Sequence, residues 1–192
     1  MSLLLEKNTI IVDQAVTITA SQYSLYDESG AKIGFVQENM SNAKKVASLV
    51  VSKKLMPMDI SIMDESNNVV ASITRGIQLM LAKTSIKNAS GQEIARINQK
   101  FTLLKPKFEI KNPQDKLIAT IQGDITAWDF KITDAAGTEI GTVTKKFAGL
   151  KEVFSDADKY IVNINASVAD INQRTAIIAT AVIIDMILKE NK

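Results

Sequence analysis

The chain has 192 residues, 46% of them apolar, and a formal net charge of +2. That fits one domain with a sizeable core and gives no electrostatic case for a nucleic-acid partner. It contains neither cysteine nor histidine, which excludes disulfides, thiolate metal sites, cysteine nucleophiles and S-palmitoylation, and removes the commonest general base and metal ligand.

The opening residues, Met1 to Glu6, carry no basic stretch and no apolar run long enough for a signal peptide, so the expected location is the cytoplasm or the cytosolic face of a membrane. Thr9 to Thr19 predicts one or two strands. Tyr23 to Val36 then reads as a hairpin: alternating apolar and polar residues, Asp27-Glu28-Ser29-Gly30 as punctuation, and alternation again. In Ser41 to Lys54, Ala43, Val46, Ala47, Val50 and Val51 fall at helical spacing, which predicts a short amphipathic helix near 42–54, closed by Pro57.

The hairpin pattern recurs four times. The copies open at Asp64, Asn88, Asn112 and Asp134, spaced 24, 24 and 22 residues apart. Asp or Asn opens each turn because its side chain bonds the backbone beyond it. A glycine often follows because φ is positive there. The small residue after the second apolar position is Gly34, Ala71, Ala95, Ala119 or Gly141. Either it faces outward, or it leaves room for something bulky. Five hairpins supply ten strands, Lys159 to Asn163 adds another, and with the amino-terminal segment the total is roughly twelve.

The chain closes with a helix predicted from Ser167 to about Lys189. Ser167 and Asp170 form a capping box at its start, and Lys189 suits the negative end of the dipole. Its centre, Ala176 to Ile184, is apolar on every face and must be buried by lipid or by protein. A bilayer core takes ~20 apolar residues. The uninterrupted stretch from Thr175 to Ile184 is ten residues, stopped by Arg174 and Asp185. From Ile171 to Leu188 the helix spans ~27 Å, enough to run through a barrel. A sheet of about twelve strands loses its edges by closing, and a barrel of that width needs a filling other than strand side chains. The expected fold is therefore mainly β: a closed antiparallel barrel, one domain over residues 1–192, wrapped around the helix at 167–189. Asp185 reads as a hydrogen-bonded residue at the barrel mouth, against an intramembrane polar site.

Several segments resemble the phospholipid scramblase family. Gly141 to Val162 resembles its carboxyl-terminal signature, as does the ending Ile183-Ile184-Asp185, and Leu104 to Asn112 matches a further family segment. More distantly the chain is similar to LURP-one-related and Tubby carboxyl-terminal proteins, closed barrels of twelve strands around a central helix. The resemblance implies calcium-stimulated, ATP-independent movement of phospholipids between leaflets. It also implies calcium at Asp156 and Asp158, the first and third positions of a twelve-residue EF-hand-like run that ends at Ser167. The run departs from such a loop, because positions five, six, seven and nine are Tyr160, Ile161, Val162 and Ile164 where oxygen ligands and a glycine belong. The alternative for these residues is a polar turn entering the last strand. The proline-rich tail and cysteine cluster of vertebrate members are also missing.

Lys105, Lys107, Lys145 and Lys146 are the candidate headgroup-binding residues, with Lys100, Lys111 and Lys151 nearby in sequence. The alternative is solvated strand faces and edge protection. Trp128 and Phe130 alternate at strand spacing and read as core, against a lipid-contacting pair, and Phe101, Phe108, Phe147 and Phe154 read as core. No catalytic constellation and no small-molecule site emerges. The expected function is scramblase-like lipid binding or transbilayer movement of phospholipids, peripheral at the inner face of the plasma membrane. The rival is a soluble structural or interaction domain of the same fold without transport.

Overall fold

A computed structural model describes residues 2–15, 22–39, 57–76, 84–100, 105–124, 128–145 and 159–190, the side chains of residues 15, 22 and 188–190 excepted. A short helix, α1 (Leu3–Glu6), precedes twelve strands: β1 (Thr9–Ala15), β2 (Gln22–Tyr26), β3 (Lys32–Glu38), β4 (Met58–Asp64), β5 (Val69–Arg75), β6 (Thr84–Asn88), β7 (Glu93–Lys100), β8 (Lys107–Lys111), β9 (Leu117–Asp124), β10 (Asp129–Asp134), β11 (Glu139–Thr144) and β12 (Lys159–Ile164). One long helix follows, α2 (Ile171–Glu190). Each strand pairs antiparallel with its sequence neighbours, and β1 closes the ring on β12. The predicted helix near 42–54 lies outside the described residues.

The five hairpins share one turn. Asp27, Asp64, Asn88, Asn112 and Asp134 each accept, on Oδ1, the backbone N–H groups two and four residues ahead. The residue three places after the opener is left-handed every time: Gly30, Asn67, Gly91, Asp115 and Gly137, with φ between 64° and 88°. Each turn inserts one residue into the pairing, and the register shifts beside it in all five hairpins. These connections lead from even to odd strands, so all lie at one end of the barrel, the turn end. The odd-to-even connections join the strands at the other, the link end.

The small residues of the repeat face inward. Gly34 pairs with Leu25, Ala71 with Ile62, Ala95 with Ile86, Ala119 with Ile110 and Gly141 with Ile132. All five large partners are fully buried. Large and small side chains thus alternate around the inner wall, which leaves space for a helix while keeping the interior filled. That helix is α2. Every residue from Arg174 to Ile187 is buried, and α2 packs closest to β5 through β8 and to β12. Full burial of each of Ile177, Ile183 and Ile184 contributes about 1.5–3 kcal/mol.

The helix starts later than the sequence suggests. Asn165 opens a sixth turn by accepting the Ser167 N–H, so Ser167 lies in that turn and not at the cap. Asp170 is the cap: its Oδ1 accepts the Gln173 N–H at 2.7 Å and its carbonyl accepts the Arg174 N–H. Among the described residues no helix is long and apolar enough to cross a membrane.

Candidate functional site

Two polar constructions hold α2 in the barrel. At the turn end the buried Arg174 guanidinium bonds four oxygens: Leu5 O at 2.7 Å, Lys7 O at 2.6 Å, Val168 O at 3.2 Å and Asn8 Oδ1 at 3.2 Å. It ties the helix to the segment before β1 and to the turn after β12. Burial lowers its pKa, but an arginine remains charged. Beside it, Lys7 Nζ lies 2.8 Å from Asp27 Oδ2.

Toward the link end the interior carries a polar layer. The Tyr23 hydroxyl donates to Asp185 Oδ2 at 3.0 Å, and Gln14 Nε2 donates to the same hydroxyl oxygen at 3.4 Å. The Tyr160 hydroxyl donates to Ala181 O at 3.4 Å. Burial, and then the neighbouring Asp185 and Tyr23, push the Tyr160 phenol well above its ordinary pKa. Arg75 and Thr84 are buried at the same level. Asp185 is 1% exposed. It is a hydrogen-bonded interior residue, as the sequence suggests. The sequence does not mark Tyr23, Tyr160 or Arg75 as partners of this layer, although each falls in phase with the inward apolar residues of its strand.

Outside this layer, Trp128, the turn residue just before β10, has φ 48°, an uncommon conformation for so bulky a residue. Its ring packs on Tyr160 at 5.5 Å and on Phe130 at 5.9 Å, and Lys145 Nζ covers it at 4.6 Å. Trp128 is therefore partly core, while Phe108 and Phe130 are wholly core. Phe101, Phe147 and Phe154 lie outside the described residues.

The candidate lysines do not form one row. Lys105 is exposed at the link end, and Lys107 opens β8 there, but Lys111 ends β8 near the turn end. Glu109 holds both neighbouring cations, Lys107 at 3.7 Å and Lys100 at 3.9 Å. Lys105 and Lys145 share the link end, whereas Lys146 lies outside the described residues. An open groove of about 570 Å³ on the outer face of β9 and β10 sets Lys105 and Lys131 beside Asp124 and Asp129, which oppose each other in register.

Asp156 and Asp158 lie outside the described residues. The rest of their run does not fit a calcium loop. Lys159–Ile164 is a strand, and Tyr160, Val162 and Ile164, at positions five, seven and nine, are buried in the core. Among the described residues no three acidic side chains are grouped to hold a metal.

Twelve antiparallel strands closed on one apolar helix define a helix-filled barrel, a class in which the helix serves as the core. The chain belongs to the Scramblase family, whose model matches residues 1–191. An X-ray structure of a protein from Arabidopsis thaliana is similar, with a TM-score of 0.55 at 10% identity over 92% of this chain and 89% of that one. At that identity the likeness is one of fold. A search of curated proteins gives no match.

Proposed function

We propose that this protein is a scramblase-like, non-enzymatic factor that engages phospholipid at a membrane surface from the cytoplasmic side. The observation that carries this reading is family membership across residues 1–191. The burial of α2 from Arg174 to Ile187 constrains how it works: lipid meets the outside of the barrel, because the interior is filled. Exposed lysines such as Lys105 attract anionic headgroups at about 1 kcal/mol each. The test is reconstitution with fluorescent phospholipid in vesicles. The reading expects co-sedimentation with anionic vesicles and faster lipid exchange between leaflets than in empty vesicles. Vesicle binding with no gain in exchange removes transport and leaves lipid binding.

A second reading, a structural or interaction domain without transport, draws support from the run at Asp156 to Ser167, which places a strand where a calcium loop would need oxygen ligands. Failure of the protein to sediment with anionic vesicles favours it.

A further inference from the structure

The groove on the outer face of β9 and β10 gathers two lysines, Lys105 and Lys131, and two aspartates, Asp124 and Asp129, around a polar floor. The pairing of the two strands builds it: Gln122 stands opposite Lys131, Thr120 opposite Thr133 and Asp124 opposite Asp129. Like charges directly opposite on one face of a sheet repel, so the two carboxylates favour a positive group between them. The strands run close together here, since a Cβ on Gly123 would collide with the Asp129 carbonyl oxygen and the Phe130 Cα. The Gly123 N–H also donates to Pro106 O at 3.4 Å, which holds the segment carrying Lys105 against β9. The groove measures about 570 Å³, a size common among small-molecule sites, about 300–1,000 Å³.

Its lining is neutral in sum, with two charges of each sign. The charged residues opposite its floor are paired as well. Lys107 lies 3.7 Å from Glu109 on β8, and Glu139 on β11 lies 3.0 Å from Lys131. Lys105, Asp124 and Asp129 likewise have contacts of their own. A cation or an anion entering alone would therefore leave a protein charge without its counter-charge. A zwitterion brings one group of each sign and leaves none. Exposed ion pairs are weak, so exchanging them for pairs with a ligand costs little.

We propose that this groove is a subsite for the headgroup of phosphatidylethanolamine, a zwitterion with a primary amine, its ammonium between Asp124 and Asp129 and its phosphate at Lys105 and Lys131. This rests on the phospholipid reading above and names the headgroup. Charge complementarity carries it. A primary ammonium donates hydrogen bonds, which the two carboxylates and the Gln122 side-chain carbonyl accept. A quaternary ammonium, as in phosphatidylcholine, has no N–H to donate and is recognised by aromatic faces, and no aromatic ring is among the described residues lining the groove. Lysines take phosphate as point charges.

The test titrates the full chain with glycerophosphoethanolamine, glycerophosphocholine and glycerol 3-phosphate, and follows backbone amide shifts by NMR. Glycerophosphoethanolamine is expected to bind ahead of the other two, with shifts confined to Thr120–Asp124 and Asp129–Thr133. Asp129→Asn and Lys131→Gln are each expected to weaken it about two- to fivefold, while Lys32→Gln on β3 changes nothing. For glycerol 3-phosphate the sign reverses at one position: Asp129→Asn strengthens binding, because a repelling charge is gone. Phosphatidylcholine vesicles are expected to retain more protein when they contain phosphatidylethanolamine, and Asp129→Asn removes the gain. Equal responses to the three probes, or shifts on other strands, overturn the subsite. Sedimentation with anionic vesicles and no glycerophosphoethanolamine shift on β9 or β10 overturns the subsite and leaves the membrane reading standing. Shifts on those strands without sedimentation on any vesicle overturn the lipid as the source of the headgroup.

Discussion

The Tyr23 hydroxyl on β2 donates to the Asp185 carboxyl on α2 at 3.0 Å, across 162 positions of sequence. One end of the chain thereby fixes how deep the other end sits. Apolar packing alone leaves a uniformly greasy helix free to slide or rotate, and a directional bond removes that freedom. Tyr23→Phe removes the donor and leaves a buried carboxyl short of a partner. It is expected to cost about 1–3 kcal/mol in urea unfolding, with the slope unchanged.

Arg174 does the same at the turn end with four hydrogen bonds. Arg174→Met keeps most of the apolar stem and leaves the Leu5, Lys7 and Val168 carbonyls without this donor. Bonds from charged donors contribute about 1.5–3 kcal/mol each, and one or two such losses are expected to lower the thermal midpoint by several degrees. Scanning calorimetry measures this, and an unchanged midpoint contradicts the clamp.

The described inner wall beside the helix is made of buried side chains. Ala95 is buried opposite Ile86 on a strand that packs closely on α2. Ala95→Leu overfills that layer and is expected to destabilise by about 1–3 kcal/mol or more. Ile178, 2% exposed, tests the same interior with charge. Ile178→Lys is expected to abolish folding, whereas Ile178→Val folds and costs about 0.5–1.5 kcal/mol. Equal melting of the lysine variant and the native chain contradicts the interior position.

Acid weakens the barrel through its turns. The Lys7 ammonium, and then the Ser29 hydroxyl, hold the Asp27 carboxyl far below the usual carboxylate range. At Asp64 burial opposes the charge, but hydrogen bonds from Asn68 and Ser66 outweigh it, and the pKa is lowered. Glu93 is lowered by the Ser85 hydroxyl first and Arg96 after it. A depressed pKa in the folded state contributes stability above the unfolded value, near pH 4, and loses it as pH falls toward the folded value. Lys7 has the opposite sign: its pKa is raised, mainly by Asp27, so its contribution fades above about pH 10. Stability is expected to plateau between those limits and fall below pH 4, with a shallower acid fall in Asp27→Asn. Identical acid slopes in the two proteins contradict the pairing.

The repeat, the strand number and the enclosed helix were legible because each rests on local chemistry repeated along the chain. Five turns open with Asp or Asn, and a helix apolar on every face must be surrounded. The inward direction of the small residues stayed open, since alternation alone does not say which face is inside. The helix start was misplaced because Ser167 and Asp170 imitate a capping box, while Asn165 had already claimed Ser167 for a turn. Closeness in sequence does not say whether the lysines share a rim, and β8 carries Lys107 and Lys111 toward opposite ends. The pairing of Tyr23 with Asp185 leaves no local trace, because its partners meet only after the barrel closes.

Hydrogen–deuterium exchange of the purified chain, without lipid or detergent, tests the enclosure of α2 most directly. The helix amides from Ala176 to Ile187 are expected to exchange as slowly as those of β5 through β8, in one cooperative unit that opens only with the whole barrel. Fast exchange of those amides while the strands stay protected, or protection gained only on adding bilayer, would show that lipid rather than the sheet surrounds the helix.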